Sequence, residues 1–223
     1  RQRQMCIRDS SYPNETDAYR SARNDLLDAE IALRAQIEAV AAKRRALPPG
    51  GELSQDYAFI GQDGETRTLS SLFGDKTTLA LYSYMYALDA ARPCPACTSL
   101  LDGLNALVPQ ITQRIAFAAV SSARPEQLAT ISKERNWKSI VLISAYGTDY
   151  QSLYHGRSAD GEQPMMNVFT KQEGVIRHSW GSEMLYADLD GHPRHMDLAW
   201  PIWGILDMTP EGRGEFFPQV FGT

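Results

Sequence analysis

Cysteine is scarce in this sequence, with only Cys6, Cys94 and Cys97 among 223 residues. A small secreted scaffold held by disulfides carries many more, densely spaced and evenly paired, so structural disulfides are not expected and a reducing, cytoplasmic setting is. Long apolar runs are missing too. The most apolar stretch, Leu198 to Leu206, is far too short to span a bilayer, and no basic-then-apolar leader opens the sequence, so no membrane partner is expected. Positive charge is not in excess either: the formal net charge is −5 and the pI about 5.4. Nucleic-acid binding needs a concentrated basic surface, and no nucleic-acid partner is expected. There is no Walker A loop, dinucleotide-binding glycine fingerprint, His-Glu-x-x-His pair or nucleophile-elbow serine. What remains is ordinary globular composition, 43% hydrophobic and 22% charged, in a length that suits one domain with extensions.

Three regions are expected. Residues 1–10, "RQRQMCIRDS", have no hydrophobic period and resemble a translated adapter, so they are read as a non-native leader and Cys6 with them. Residues 11–50 form a helical extension. From Glu15 to Leu47 the apolar residues Tyr19, Ala22, Leu26, Ala29, Leu33, Ile37 and Val40 recur at intervals of three and four, one face of a helix roughly 50 Å long. Asn14 with Asp17 is the expected N-terminal cap, and Lys43, Arg44 and Arg45 oppose the negative dipole end of the last turn. "LPPGG", Leu47 to Gly51, ends the helix, because neither tandem proline nor paired glycine continues it. Such a stripe must be buried somewhere. It either wraps its own domain or pairs with a second chain, and a homodimer through this helix is the preferred expectation.

In residues 51–223 the pattern changes. "DYAFIG" reads as a short strand, "LSSLFG" as a single helical turn, and Thr77 to Tyr86 as a central strand. A helix from Cys97 to Ile111, the strand "IAFAAVSS", the helix "PEQLATISKERN" and the strand "SIVLISA" follow, which is the signature of parallel βαβ units. "MMNVFTKQEGVIRHSW" then reads as two antiparallel strands turning at Gln172-Glu173-Gly174, and a last helix is expected over Trp200 to Asp207.

The chemistry is concentrated in Cys94-Pro95-Ala96-Cys97. After a buried parallel strand and at the first turn of a helix, Cys94 lies near unpaired backbone N–H groups and the positive dipole end, both of which favour thiolate over thiol. Two intervening residues keep Cys97 close enough to resolve a mixed disulfide. Pro95 suits the first helical position, where its missing N–H has no helical partner. Arg92 beside Cys94 is a further candidate to support the thiolate, and Arg92 and Pro95 are candidates to border the substrate. Strand alternation sends Tyr84 and Tyr86 to one face, and Tyr86 is a candidate to hold substrate near the sulfurs.

Strand, Cys-Pro-Ala-Cys, helix and the later βα and ββ units together resemble the thioredoxin superfamily over about Asp56 to Asp207, and the approach "LSSLFGDKTTLALYSYM" is similar to its peroxiredoxin-like branch. "YRSARNDLLDAEIALR", "RRALPPGG", "CPACTSLLDGL" and "LDMTPEGR" resemble more closely a bacterial family of thioredoxin-like proteins described as predicted dithiol-disulfide oxidoreductases, of unassigned substrate. The resemblance implies an α/β thioredoxin-like fold, a mixed sheet flanked by helices, here with a long N-terminal helix. It implies a thiol-disulfide oxidoreductase with Cys94 and Cys97 catalytic, a disulfide-containing substrate, a thiol electron donor and no cofactor. It also implies a cis-proline opposite the sulfurs, for which Pro164 is the matching position, with an ordinary strand-entry proline as the alternative. Two departures stand out. Pro93 replaces the tryptophan that often precedes the first cysteine of thioredoxins. Ala91 stands where a peroxiredoxin has threonine or serine, which weighs against a thiol peroxidase.

Other readings of the same residues are a zinc site completed by His192 and His195, and copper delivery with Met165, Met166, Met184, Met196 and His178. The first pair lies almost a hundred residues from the cysteines, unlike the nearby pairs of structural zinc sites. Scattered methionines are more often core filler, and free cysteines are often inert and buried. Trp200, Trp203, Phe216 and Phe217 read as packing.

Overall fold

The computed structural model describes residues 11–188, 196, 198–212 and 214–221. The chain divides into two compact units, Arg1–Pro48 and Pro49–Thr223.

The first unit contains α1 (Asp17–Arg45). Its cap is Thr16, not Asn14: Thr16 is extended and its hydroxyl accepts from the Tyr19 N–H at 3.2 Å. Asn14 has a φ of 61°, so it belongs to the preceding turn and cannot supply the extended conformation that a cap requires. Lys43, Arg44 and Arg45 occupy the last turn, as the dipole argument expects.

In the second unit the elements run β1 (Ala58–Gly61), β2 (Thr66–Thr68), β3 (Thr78–Ser83), α2 (Pro95–Ile111), β4 (Ala116–Ser121), α3 (Pro125–Glu134), β5 (Val141–Ser144), α4 (Tyr150–Leu153), β6 (Arg157–Ser158), β7 (Gly161–Glu162), β8 (Met166–Gln172), β9 (Val175–Gly181) and α5 (Ile202–Leu206). Seven strands form one sheet in the order β2-β1-β5-β4-β3-β8-β9, and β6 pairs only with β7. β3, β4 and β5 are parallel, linked by α2 and α3, while β8 runs antiparallel to β3 and turns back as β9. That β8–β9 hairpin closes through Glu173 and Gly174, both with positive φ, the two-residue turn whose twist matches the strands it joins.

β3 is central, and its alternate residues feed two cores. Ala80 and Tyr82 join α2, with Leu100, Leu101, Leu104 and Val108, while Leu79 and Leu81 join Phe59, Leu69, Phe73 and Phe169 on the other face. A strand buried on both sides reads as a continuous apolar run, which is why "TLALYS" shows no polar alternation. The expected strand to Tyr86 is shorter in the structure. Tyr84 N–H still bonds the Val120 carbonyl at 2.7 Å, but the carbonyls of Met85 and Tyr86 turn to the Cys94 N–H and the Ser121 hydroxyl, which ends the ladder. The last helix is also shorter than expected, since Pro201 supplies its cap.

The outer edge of β9 is covered by the segment entering the unit. Gly51 accepts from the His178 N–H at 2.9 Å, Leu53 donates to the Ile176 carbonyl at 2.8 Å, and Glu52 forms a bridge with Arg177. Gly50 lies so close to the His178 carbonyl that a Cβ there would collide with backbone. Among the described residues no helix is long and apolar enough to cross a membrane.

Candidate active site

The loop from β3 to α2 is pinned before it reaches the cysteines. Met85 accepts from the Cys94 N–H at 2.9 Å, the Ser121 hydroxyl donates to the Tyr86 carbonyl at 2.9 Å, and Gln127 Nε2 donates to the Ala90 carbonyl at 3.3 Å. Cys94 is the N-cap of α2 and Pro95 its first residue, so the helix begins two residues earlier than expected, with the motif built into its first turn. Thr98 locks that turn: its N–H and its hydroxyl both donate to the Cys94 carbonyl, at 3.0 and 2.8 Å.

Both cysteines are free thiols, Cys94 half-buried and Cys97 buried. They separate in acidity. The Cys97 thiol and the N–H groups of Cys97 and Ala96 favour the Cys94 thiolate, outweigh its desolvation, and bring its pKa down to about 6. Burial first, and then the adjacent Cys94 sulfur, push the Cys97 thiol well up, against an opposing contribution from the Tyr82 hydroxyl. One sulfur is thus a thiolate near neutrality and reachable; its neighbour holds its proton.

The expectations for Arg92 and for a cis Pro164 are corrected by the structure. Arg92 does not support the thiolate: it pairs with Glu134 at 2.5 Å and lies over the Phe221 ring at 5.1 Å, because a guanidinium satisfied by a carboxylate gains nothing by turning to a sulfur. Pro164 is not cis, as no cis peptide bond occurs among the described residues. The Met165 N–H donates to the Gln163 carbonyl at 3.0 Å, a tight turn about Pro164 that suits its fixed φ, and the Met165 carbonyl then accepts from Ser83 at the end of β3. Pro164 therefore enters β8 at the end of the strand that leads to the cysteines.

Tyr86 is buried, its ring edge-on to Tyr84 at 6.2 Å, and it fills the core instead of lining an opening. Tyr82, two residues before Tyr84, is the residue missed in the sequence. The alternation that places Tyr84 and Tyr86 on one face extends to Tyr82, and all three share the core that contains Cys97. Met166 and Met196 belong to the same core, with Cys94 and Trp200 packed against it, whereas Met184 is exposed. His178 lies elsewhere, bonded to Asn167 at 2.9 Å, edge-on to Phe169 and tilted against Tyr154. Met165 accepts from the Ser182 hydroxyl at 3.3 Å. His192 and His195 lie outside the described residues. No group of three or more His, Cys, Asp and Glu side chains among the described residues is placed to hold a metal ion. Trp200 and Trp203 meet edge to face at 5.0 Å, and Phe216 adds to Trp203 at 6.1 Å.

In the sheet segment β4-β3-β8-β9, a parallel βαβ unit is followed by an antiparallel hairpin, and a Cys-x-x-Cys dithiol opens the helix after the central strand. That combination defines a thioredoxin-like protein. The chain belongs to the family described as "Bacterial protein of unknown function (DUF899)", whose model matches residues 10–220. No curated protein matches it. Among solved structures it is similar to a peroxiredoxin-like protein from Aquifex aeolicus, at 14% identity over 60% of this chain and 75% of that one, with a TM-score of 0.44. It is similar also to PrxQ from Xylella fastidiosa, at 16% over 60% and 84% with a TM-score of 0.45. A third is peroxidoxin BcpB from Mycobacterium tuberculosis, at 20% over 70% and 95% with a TM-score of 0.43.

Proposed function

We propose that this protein is a cytoplasmic thiol-disulfide oxidoreductase whose working groups are Cys94 and Cys97. The observation that carries the reading is the split between the two sulfurs: a reachable Cys94 held as thiolate at the start of α2, beside a buried Cys97 that keeps its proton. The Cys94 thiolate attacks one sulfur of a substrate disulfide. The substrate S–S bond breaks, a Cys94–substrate bond forms, and the first substrate sulfur leaves as a thiolate that takes up a proton. Cys97 then gives up its proton and attacks the Cys94 sulfur, so that the second substrate thiol leaves and the Cys94–Cys97 disulfide remains. Two electrons pass to the substrate, and an external thiol donor restores the dithiol.

Pro95 sets the helix start that presents Cys94, and Pro164, at the entry to β8, borders the substrate backbone. The test is a trap. With Cys97→Ser the second step is blocked, and a covalent complex between Cys94 and a disulfide-containing peptide is expected to accumulate, visible by mass and released by reductant. With Cys94→Ser none forms. If Cys97→Ser yields no adduct while Cys94 remains alkylatable, the exchange reading falls.

A further inference from the structure

We propose that this chain forms a homodimer through α1, with the helices of two copies paired antiparallel and crossing near Ala29 and Glu30. The proposal is independent of the dithiol chemistry. Tyr19, Leu26, Leu33 and Val40 follow one another at intervals of seven, with Ala22 and Ala29 between the first three and Ile37 between the last two. This is the seam of a helix pair, because a repeat of about seven residues keeps one stripe facing a partner helix along its length. At 29 residues α1 is about 44 Å long, and by itself it leaves Tyr19 51%, Leu26 53% and Leu33 62% exposed. An isolated helix gains little from propensity alone, so covering this stripe is what would stabilise it.

Charge selects the occupant and its direction. Residues 15–30 carry Glu15, Asp17, Asp25, Asp28 and Glu30 against Arg20 and Arg23; residues 31–45 carry Arg34, Lys43, Arg44 and Arg45 against Glu38. A second copy laid parallel sets acidic half on acidic half and basic on basic. Laid antiparallel, each half meets its opposite twice, through the two-fold axis of an isologous interface. Setting Leu26 opposite the partner's Leu33 puts Tyr19 opposite the partner's Val40 and the small Ala22 opposite the partner's Ile37. The same register sets the acidic turn of Asp25 and Asp28 at the level of the partner's Arg34, and the turn of Asp17 at the level of the partner's Lys43. Arg34 also meets Glu38 of its own helix at 3.2 Å, an exposed pair that contributes little and leaves the guanidinium accessible.

Sedimentation of the full chain gives the first readout, and a dimer mass is expected; a monomer overturns the proposal. Direction is read in a background in which Cys6, Cys94 and Cys97 are all serine, with one new thiol and a short bismaleimide. Ala29→Cys sits near the two-fold axis and is expected to link to itself. Val40→Cys is expected not to, because antiparallel pairing puts the two copies of residue 40 about 30 Å apart. Linking at Val40→Cys as readily as at Ala29→Cys means a parallel pair and overturns the proposal. Leu26→Glu with Leu33→Glu is expected to convert the dimer to monomer, and a dimer that survives both places the interface elsewhere.

Discussion

The hydroxyl of Thr98 donates to the carbonyl of Cys94 at 2.8 Å while accepting from Tyr84, whose oxygen is also 2.8 Å away. The direction is settled because the single Thr98 proton is already used on the carbonyl, so Tyr84 is the donor. Thr98→Val keeps the shape, removes both bonds and leaves the buried Tyr84 hydroxyl without its acceptor. A loss of about 1–3 kcal/mol in unfolding free energy is expected. In a Tyr84→Phe background the same change is expected to cost less, since the orphaned donor is gone. Urea denaturation of the four proteins of this cycle measures both effects, and an unchanged midpoint for Thr98→Val would show that the relay does not hold the turn.

The acidity of Cys94 gives a pH dependence in reactivity. Only the thiolate reacts, so the rate of iodoacetamide modification at Cys94 is expected to rise through a midpoint of about 6 and level off above it. Cys97→Ala removes the largest stabilising contact of that thiolate, and the midpoint is expected to move upward. Peptide mass analysis at a series of pH values reads both.

The same group links acidity to stability. The folded pKa of Cys94 is depressed from an unfolded value of about 8.5, so its contribution is fully present above that value and is lost as pH falls through about 6. Cys97 has the opposite sign: its raised pKa stabilises the fold below the unfolded value and works against it as pH climbs beyond. Reduced protein is therefore expected to gain stability relative to Cys94→Ala between about pH 6 and pH 8.5. Thermal unfolding across that window is the check, and parallel curves would contradict the assignment.

Asp102 on α2 is the joint between that helix and the end of α3. It accepts from Arg135 through both carboxylate oxygens and from Trp137 Nε1 at 2.9 Å. Asp102→Ala is expected to cost about 1.5–3 kcal/mol, by leaving the Arg135 guanidinium with the Val220 carbonyl alone and the buried Trp137 indole N–H without its acceptor, with little change in the Cys94 titration. A shifted thiol midpoint in this variant would mean that the joint also positions the site.

The central strand, the two βαβ crossovers, the β8–β9 hairpin and the long helix were all legible from hydrophobic period and turn residues. So was the helix-start position of the cysteine motif. The cap of α1 was not, because Asn14 and Thr16 are both good cap residues and only the backbone, left-handed at Asn14, separates them. Arg92 was misread because sequence proximity to Cys94 says nothing of Glu134, forty-two residues on, which captures the guanidinium. Tyr82 was overlooked although the alternation that singled out Tyr84 and Tyr86 already included it. The trans bond before Pro164 follows from a local turn, whereas the cis expectation came from resemblance alone.

The contacts of Gly51, Glu52 and Leu53 along β9 have a consequence for how copies of this protein can meet. An unpaired outer strand is a template on which another chain can add itself, the usual first step toward sheet-to-sheet aggregation. Here the last strand of the sheet already has the Ile176 carbonyl and the His178 N–H occupied by the chain's own entry segment, and at the opposite border β2 is only three residues long. Strand addition is closed at one border and has little to grip at the other. Gly50 is the hinge-pin of that closure: a side chain there would lift the segment from β9, and the variant's first failure would be seen as fibres or turbidity rather than as lost chemistry.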